Sequence, residues 1–108
     1  MSHSEQTWRV VCGGELCGEI TIDAMDMPWL HGSFVARSAY AKVKPLFDRE
    51  LELLEQTNDD PEAWEAAYDQ VANAVRLVSP HRPVADFLLH IDGDRAWFRW
   101  SDEPLSTR

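Results

Sequence analysis

Fourteen residues near the end of the chain, FLLHIDGDRAWFRW from Phe87 to Trp100, constrain the fold more than any other segment. Apolar residues alternate on both sides of Gly93-Asp94, which describes a β-hairpin. Gly at the first loop position supplies the positive φ that a type II′ turn needs. Phe87 then lies opposite Trp100, Leu89 opposite Phe98 and Ile91 opposite Ala96, all on one face. The other face pairs Leu88 with Arg99, His90 with Trp97 and Asp92 with Arg95. The first set predicts core, and the second an exposed, chemically mixed strip.

A first hairpin over about Thr7 to Asp23 admits two registers. A Gly14-Glu15 loop sets Cys12 opposite Cys17, but it places Trp8 and Val10 beside Thr21 and Glu19. A longer loop, Gly13-Gly14-Glu15, unites Trp8, Val10, Cys12, Leu16, Gly18, Ile20 and Ile22 on one face. A one-residue slip exchanges the faces, so burial selects the second register. It sends Cys12 and Cys17 to opposite sides of the sheet, where they cannot bridge without backbone movement. A reduced pair suits a cytosolic setting.

Residues 24–37, AMDMPWLHGSFVAR, read as a long apolar loop packed over the core, with Pro28 and Gly32 bracketing Trp29, Leu30 and His31. A helical hairpin is expected over 38–78. Ser38 is a candidate N-cap, and Tyr40, Val43, Phe47, Leu51 and Leu54 follow helical spacing. Pro45 predicts a kink or a break near Lys44. Thr57-Asn58-Asp59 reads as a turn. Asp60-Pro61-Glu62 is a strong start for the next helix, whose apolar stripe runs from Trp64 to Val78. The closing hairpin covers about 84–101, and residues 103–108 form a tail. The expectation is one α+β domain over 1–108 in the order ββααββ: a four-stranded antiparallel sheet made of two hairpins, with two helices packed on one face.

Charge and composition narrow the function. Of the net charge of −9, nearly all falls in residues 48–69, which hold nine acids against Arg49 alone. Without a basic patch, nucleic acid is disfavoured as a partner. No apolar run reaches the length of a membrane span. The opening MSHSEQT lacks the features of a secretion leader, so the cytoplasm is the expected location. The two Cys and four His lack metal-ligand spacing, and Asp92-Gly93-Asp94 is too short for a calcium loop. No phosphate-cradling glycine loop or nucleophile elbow is present. No cofactor or metal is therefore expected, and the balance is against an enzyme.

The candidate partner surface is His90, Asp92, Arg95, Trp97 and Arg99, together with the acidic Glu52 and Glu55. Aromatic and Arg side chains dominate binding hot spots, and an acidic stripe steers a basic partner. An ordinary solvated face accounts for the same residues. Trp29, His31 and Asp26 form an alternative ligand-binding or enzymatic site in the 24–37 loop. The blocks GELCGEITID (14–23), DMPWLHGSF (26–34) and FLLHIDGDRAWFRW (87–100) resemble a group of small, acidic actinobacterial proteins of unknown function. That resemblance implies no activity. The expected function is a non-enzymatic protein-interaction module, binding a protein partner or a second copy of itself.

Overall fold

The computed structural model describes residues 6–55 and 61–101. The Thr57–Asp59 turn, the Asp60 cap and the 103–108 tail lie outside the described residues. Six strands form one antiparallel sheet: β1 (Thr7–Cys12), β2 (Glu15–Asp26), β3 (Trp29–Ala36), β4 (Arg76–Val78), β5 (Asp86–Asp92) and β6 (Arg95–Ser101). Their order is β4-β1-β2-β3-β6-β5. The helices are α1 (Lys44–Leu54) and α2 (Pro61–Ala74). The α+β class is as expected; the four-stranded sheet is not.

The closing hairpin adopts the register predicted for it, from Asp92 opposite Arg95 out to Phe87 opposite Trp100. Gly93 has φ +63° and Asp94 is not in the positive-φ region, as a type II′ turn requires.

The first hairpin keeps the chosen register in its outer part, but it turns through neither of the two expected loops. Gly13 and Gly14, at φ +60° and +83°, make the turn alone, so Val11 faces Leu16. Farther out, Val10 faces Gly18 and Trp8 faces Ile20. The mismatch leaves Cys17 as an extra residue, a β-bulge. The bulge turns Cys17 inward beside Cys12, and the two form a disulfide with Cα atoms 5.9 Å apart. The expectation of a separated, reduced pair is therefore corrected. With it goes the support that a reduced pair lent to a cytosolic setting.

Two strands replace segments expected to be loop and helix. Residues 29–36 pair with β2 and with β6 and are not a packed loop. Leu30, Gly32 and Phe34 face inward and are buried, while Trp29, His31 and Ser33 face outward. The second helix stops at Ala74; Arg76–Val78 then pairs with β1, with Leu77 opposite Val10. The first helical segment breaks as Pro45 suggested. A 3-10 helix covers Ser38–Lys42, and α1 begins anew with Pro45 in its first turn. Ser38 is not a cap: Arg37 holds that position, with no side-chain hydrogen bond.

The sheet curls until it is nearly a barrel. β1 and β6 are separated by two strands, yet the Trp8 and Phe98 rings stand 4.8 Å apart across the interior. Val10, Ile20, Leu77, Leu89, Ile91 and Phe98 are fully buried there, each large side chain contributing about 1.5–3 kcal/mol. Both helices reach β5, the edge strand of the sheet. There the Tyr68 hydroxyl accepts from the Leu89 amide (2.8 Å) and donates to the Phe87 carbonyl (3.2 Å). Burial pushes the Tyr68 phenol well above its ordinary range, so it remains a neutral donor. At the other edge, the Val84 amide donates to the Leu77 carbonyl of β4. Both edges are thus blunted against strand addition.

Gly32 marks the tightest approach in the sheet. A Cβ there would collide with the Thr21 carbonyl of β2. Gly32→Ala is expected to destabilise by roughly 2–3 kcal/mol, lowering Tm on the order of 10 °C. An unchanged Tm in a thermal melt would show that the strands separate freely at this point.

Candidate functional site

The outer face of β3, β6 and β5 gathers most of the side chains singled out by sequence. Register sets Trp97 at its centre, opposite His31 on β3 and His90 on β5. Strand alternation puts all three outside the barrel. The helices then treat them differently.

His90 is covered by α1 and is only 3% exposed. Its Nδ1 meets the Glu50 carboxylate at 2.9–3.0 Å, and Glu50 is itself fully buried. Trp64 of α2 donates its Nε1–H to the same carboxylate at 2.8 Å. Rings of Trp97 (5.4 Å), Trp29 (6.0 Å) and Tyr68 (6.3 Å) surround the imidazole. The contact sets the ring's orientation, with Nδ1 toward the Glu50 carboxyl. A carboxylate-oriented imidazole is the pairing that acid–base catalysis uses. Here it joins α1, α2 and β5 inside the protein. His90 therefore leaves the expected partner surface and becomes an internal tie.

A second set of charges lies beside it. A bulge in β2 leaves Asp23 as the extra residue between Ile22 and Ala24. Asp23 takes a two-pronged contact from Arg95, at 2.7 and 3.0 Å, with Ser33 between them. The Arg95 hydrogen bond holds the Asp23 carboxyl below its ordinary value, and the same bond raises the guanidinium. Arg95 is thus committed to Asp23, although Asp92 lies opposite it in the ladder. Both members of the Asp23–Arg95 pair are nearly half exposed (45% and 47%), so its contribution to stability is small.

Of the other expected residues, Asp92, Arg99, Trp29 and His31 share the outer face of β3, β6 and β5, and Glu52, Glu55 and Asp26 do not. Asp92 and Arg99 are exposed on the hairpin, Glu52 on α1, and Glu55 at the C-cap of α1. Trp29 and His31 are half-buried, and Asp26 is exposed opposite Trp29 at the start of the β2–β3 turn. Trp29 does come near His90, but on a strand, not in a loop. Glu50 and Trp64 were not singled out by sequence. A signal for Glu50 existed: it falls three residues after Phe47, on the apolar side of α1. Among the described residues, no group of three or more His, Cys, Asp or Glu is placed to hold a metal. The chain matches no protein-family model, no curated protein and no solved structure.

Two outcomes are expected. Glu50→Ala strands the His90 Nδ1 and the Trp64 Nε1–H in the interior, and should cost about 3 kcal/mol or more in urea unfolding at constant m. A loss below about 1 kcal/mol would mean that water replaces the carboxylate. In an NMR titration, Asp23 should show a midpoint below its ordinary 3.8, and Arg95→Ala should return it there. Because the native value is depressed, the stabilisation is present above the ordinary Asp range and is lost as pH falls through the native midpoint. A midpoint unmoved by Arg95→Ala would show that another group sets it.

Proposed function

We propose that the chain is a non-enzymatic protein-interaction module that meets a basic partner through the outward faces of α1 and α2. The observation that carries this reading is the state of the helix acids. Asp48 is paired with Lys44 at 2.7 Å, and Glu50 is turned inward to His90. Glu52, Glu55, Glu62, Glu65 and Asp69 are all exposed, and none forms an ion pair with another described residue. Like charges on packed neighbouring helices are unfavourable, and a basic partner would relieve them. The β2–β3 turn adds an apolar element, with Met25 and Met27 at 66% and 77% exposure. Flexible Met side chains suit a docking surface. With both sheet edges blunted, a partner would meet side chains and not a free strand. No described helix is long and apolar enough to cross a membrane.

A second reading, a ligand or enzymatic site at Asp26, Trp29 and His31, is supported by one contact, the stacking of Trp29 on His90.

The test of the first reading is kinetic. With a partner captured from the native host, Glu52→Lys with Glu55→Lys should slow association by about tenfold at low salt and much less at high salt. An association rate unchanged at low salt would remove the acidic face from recognition.

A further inference from the structure

A hollow lies between the start of β1 and the turn that follows β4. One part, about 430 Å³, is lined by Gln6, Thr7, Arg9, Pro80 and His81. A second part, about 200 Å³, shares Gln6, Pro80 and His81 and is walled by Trp8 and Trp100. We propose that this hollow binds a small aromatic anion, a ring carrying a carboxylate or a phosphate ester.

Three features point to that chemistry. The walls are aromatic: the Trp8 and Trp100 rings stand 5.5 Å apart, and Trp100 remains 40% exposed although strand alternation places it on the inner face. A volume of about 200 Å³ has room for a single ring beside them. The charge is also local and unusual. In a chain of net charge −9, Arg9 and His81 line the hollow, and no acid does among the described residues. Arg9 forms no ion pair with another described residue. Glu19, its neighbour across the ladder, is instead held by Arg37 at 2.6 Å. Finally, the turn is pre-organised. The Ser79 hydroxyl accepts from the His81 and Arg82 amides (both 3.1 Å) and donates to the Arg82 carbonyl (2.9 Å). Pro80 and Pro83 restrict the same turn. A ligand entering here has little backbone to order, which favours binding.

The test uses the full chain with ¹⁵N-labelled indoles, titrated with phenyl phosphate and with phenylacetate. Either probe should shift the Trp8 and Trp100 indole N–H signals saturably, and comparing the two tells the anion types apart. Benzyl alcohol and inorganic phosphate should each bind at least about tenfold more weakly. Arg9→Ala, at an exposed position, and Trp100→Ala should each weaken binding by about tenfold while the remaining signals keep their positions. No saturable shift below about 10 mM would overturn the proposal. So would equal binding of benzyl alcohol, equal binding of inorganic phosphate, or shifts spread over Trp29, Trp64 and Trp97.

Discussion

The buried Glu50 carboxylate is the contact on which the arrangement of helices and sheet depends. It receives the His90 imidazole from β5 and the Trp64 indole from α2, and is itself carried on α1. A buried acid–imidazole contact of this kind brings little net stability compared with an apolar replacement. The carboxyl does demand its partners, because leaving it unpaired is costly. Leu or Phe at position 50 would pack against β5 in many orientations. A carboxyl held between the His90 Nδ1 and the Trp64 N–H accepts very few. Tyr68, which binds the β5 backbone and stacks on Trp64 at 5.6 Å, adds a second directional tie along the same edge. Together these contacts define how the helical pair seats on the open side of the curled sheet.

The bulges do comparable work within the sheet. At Cys17 the extra residue brings two cysteines to one side of a hairpin whose regular register would part them. At Asp23 it faces a carboxylate toward Arg95, across the intervening β3. Both bulges lie in β2, the longest strand, at 12 residues. Bulges bend a strand and increase its twist, which fits a sheet that curls until β1 and β6 touch. Gly32 acts in the same direction, because a side chain there would hold β2 and β3 apart.

Local patterns were legible in the sequence, and distant pairings were not. The closing hairpin could be read residue by residue, since a Gly-Asp turn and strict alternation leave it one register. The restart at Pro45 followed from the missing amide. In the first hairpin the expected loops were Gly14-Glu15 or Gly13-Gly14-Glu15, and nothing local marks a Gly13-Gly14 turn followed by a bulge at Cys17. β3 was hidden by Pro28 and Gly32, which read as loop punctuation. Pro28 sits in the turn between strands, and Gly32 is a response to β2, a neighbour in space. β4 is three residues long, too short to show a period of its own beside a helical stripe. The site failed for a related reason. Alternation correctly placed His90 on the outer face, but only tertiary structure shows that α1 covers that face.

The filled interior also limits where chemistry can reside. A small barrel has room for its own side chains and little else, and here Val10, Ile20, Leu89, Ile91 and Phe98 occupy that space. A ligand must therefore bind at a rim or on the outer surface. At the rim beside the Ser79–Arg82 turn, the inward-facing row of β6 ends with Trp100, which the described residues cover only in part. Its indole remains partly open next to Trp8, and Arg9 and His81 supply the polar side of the same hollow. The aromatic wall and the basic lining thus share one geometric origin: the core row of the sheet runs out where the β4 turn crosses its end.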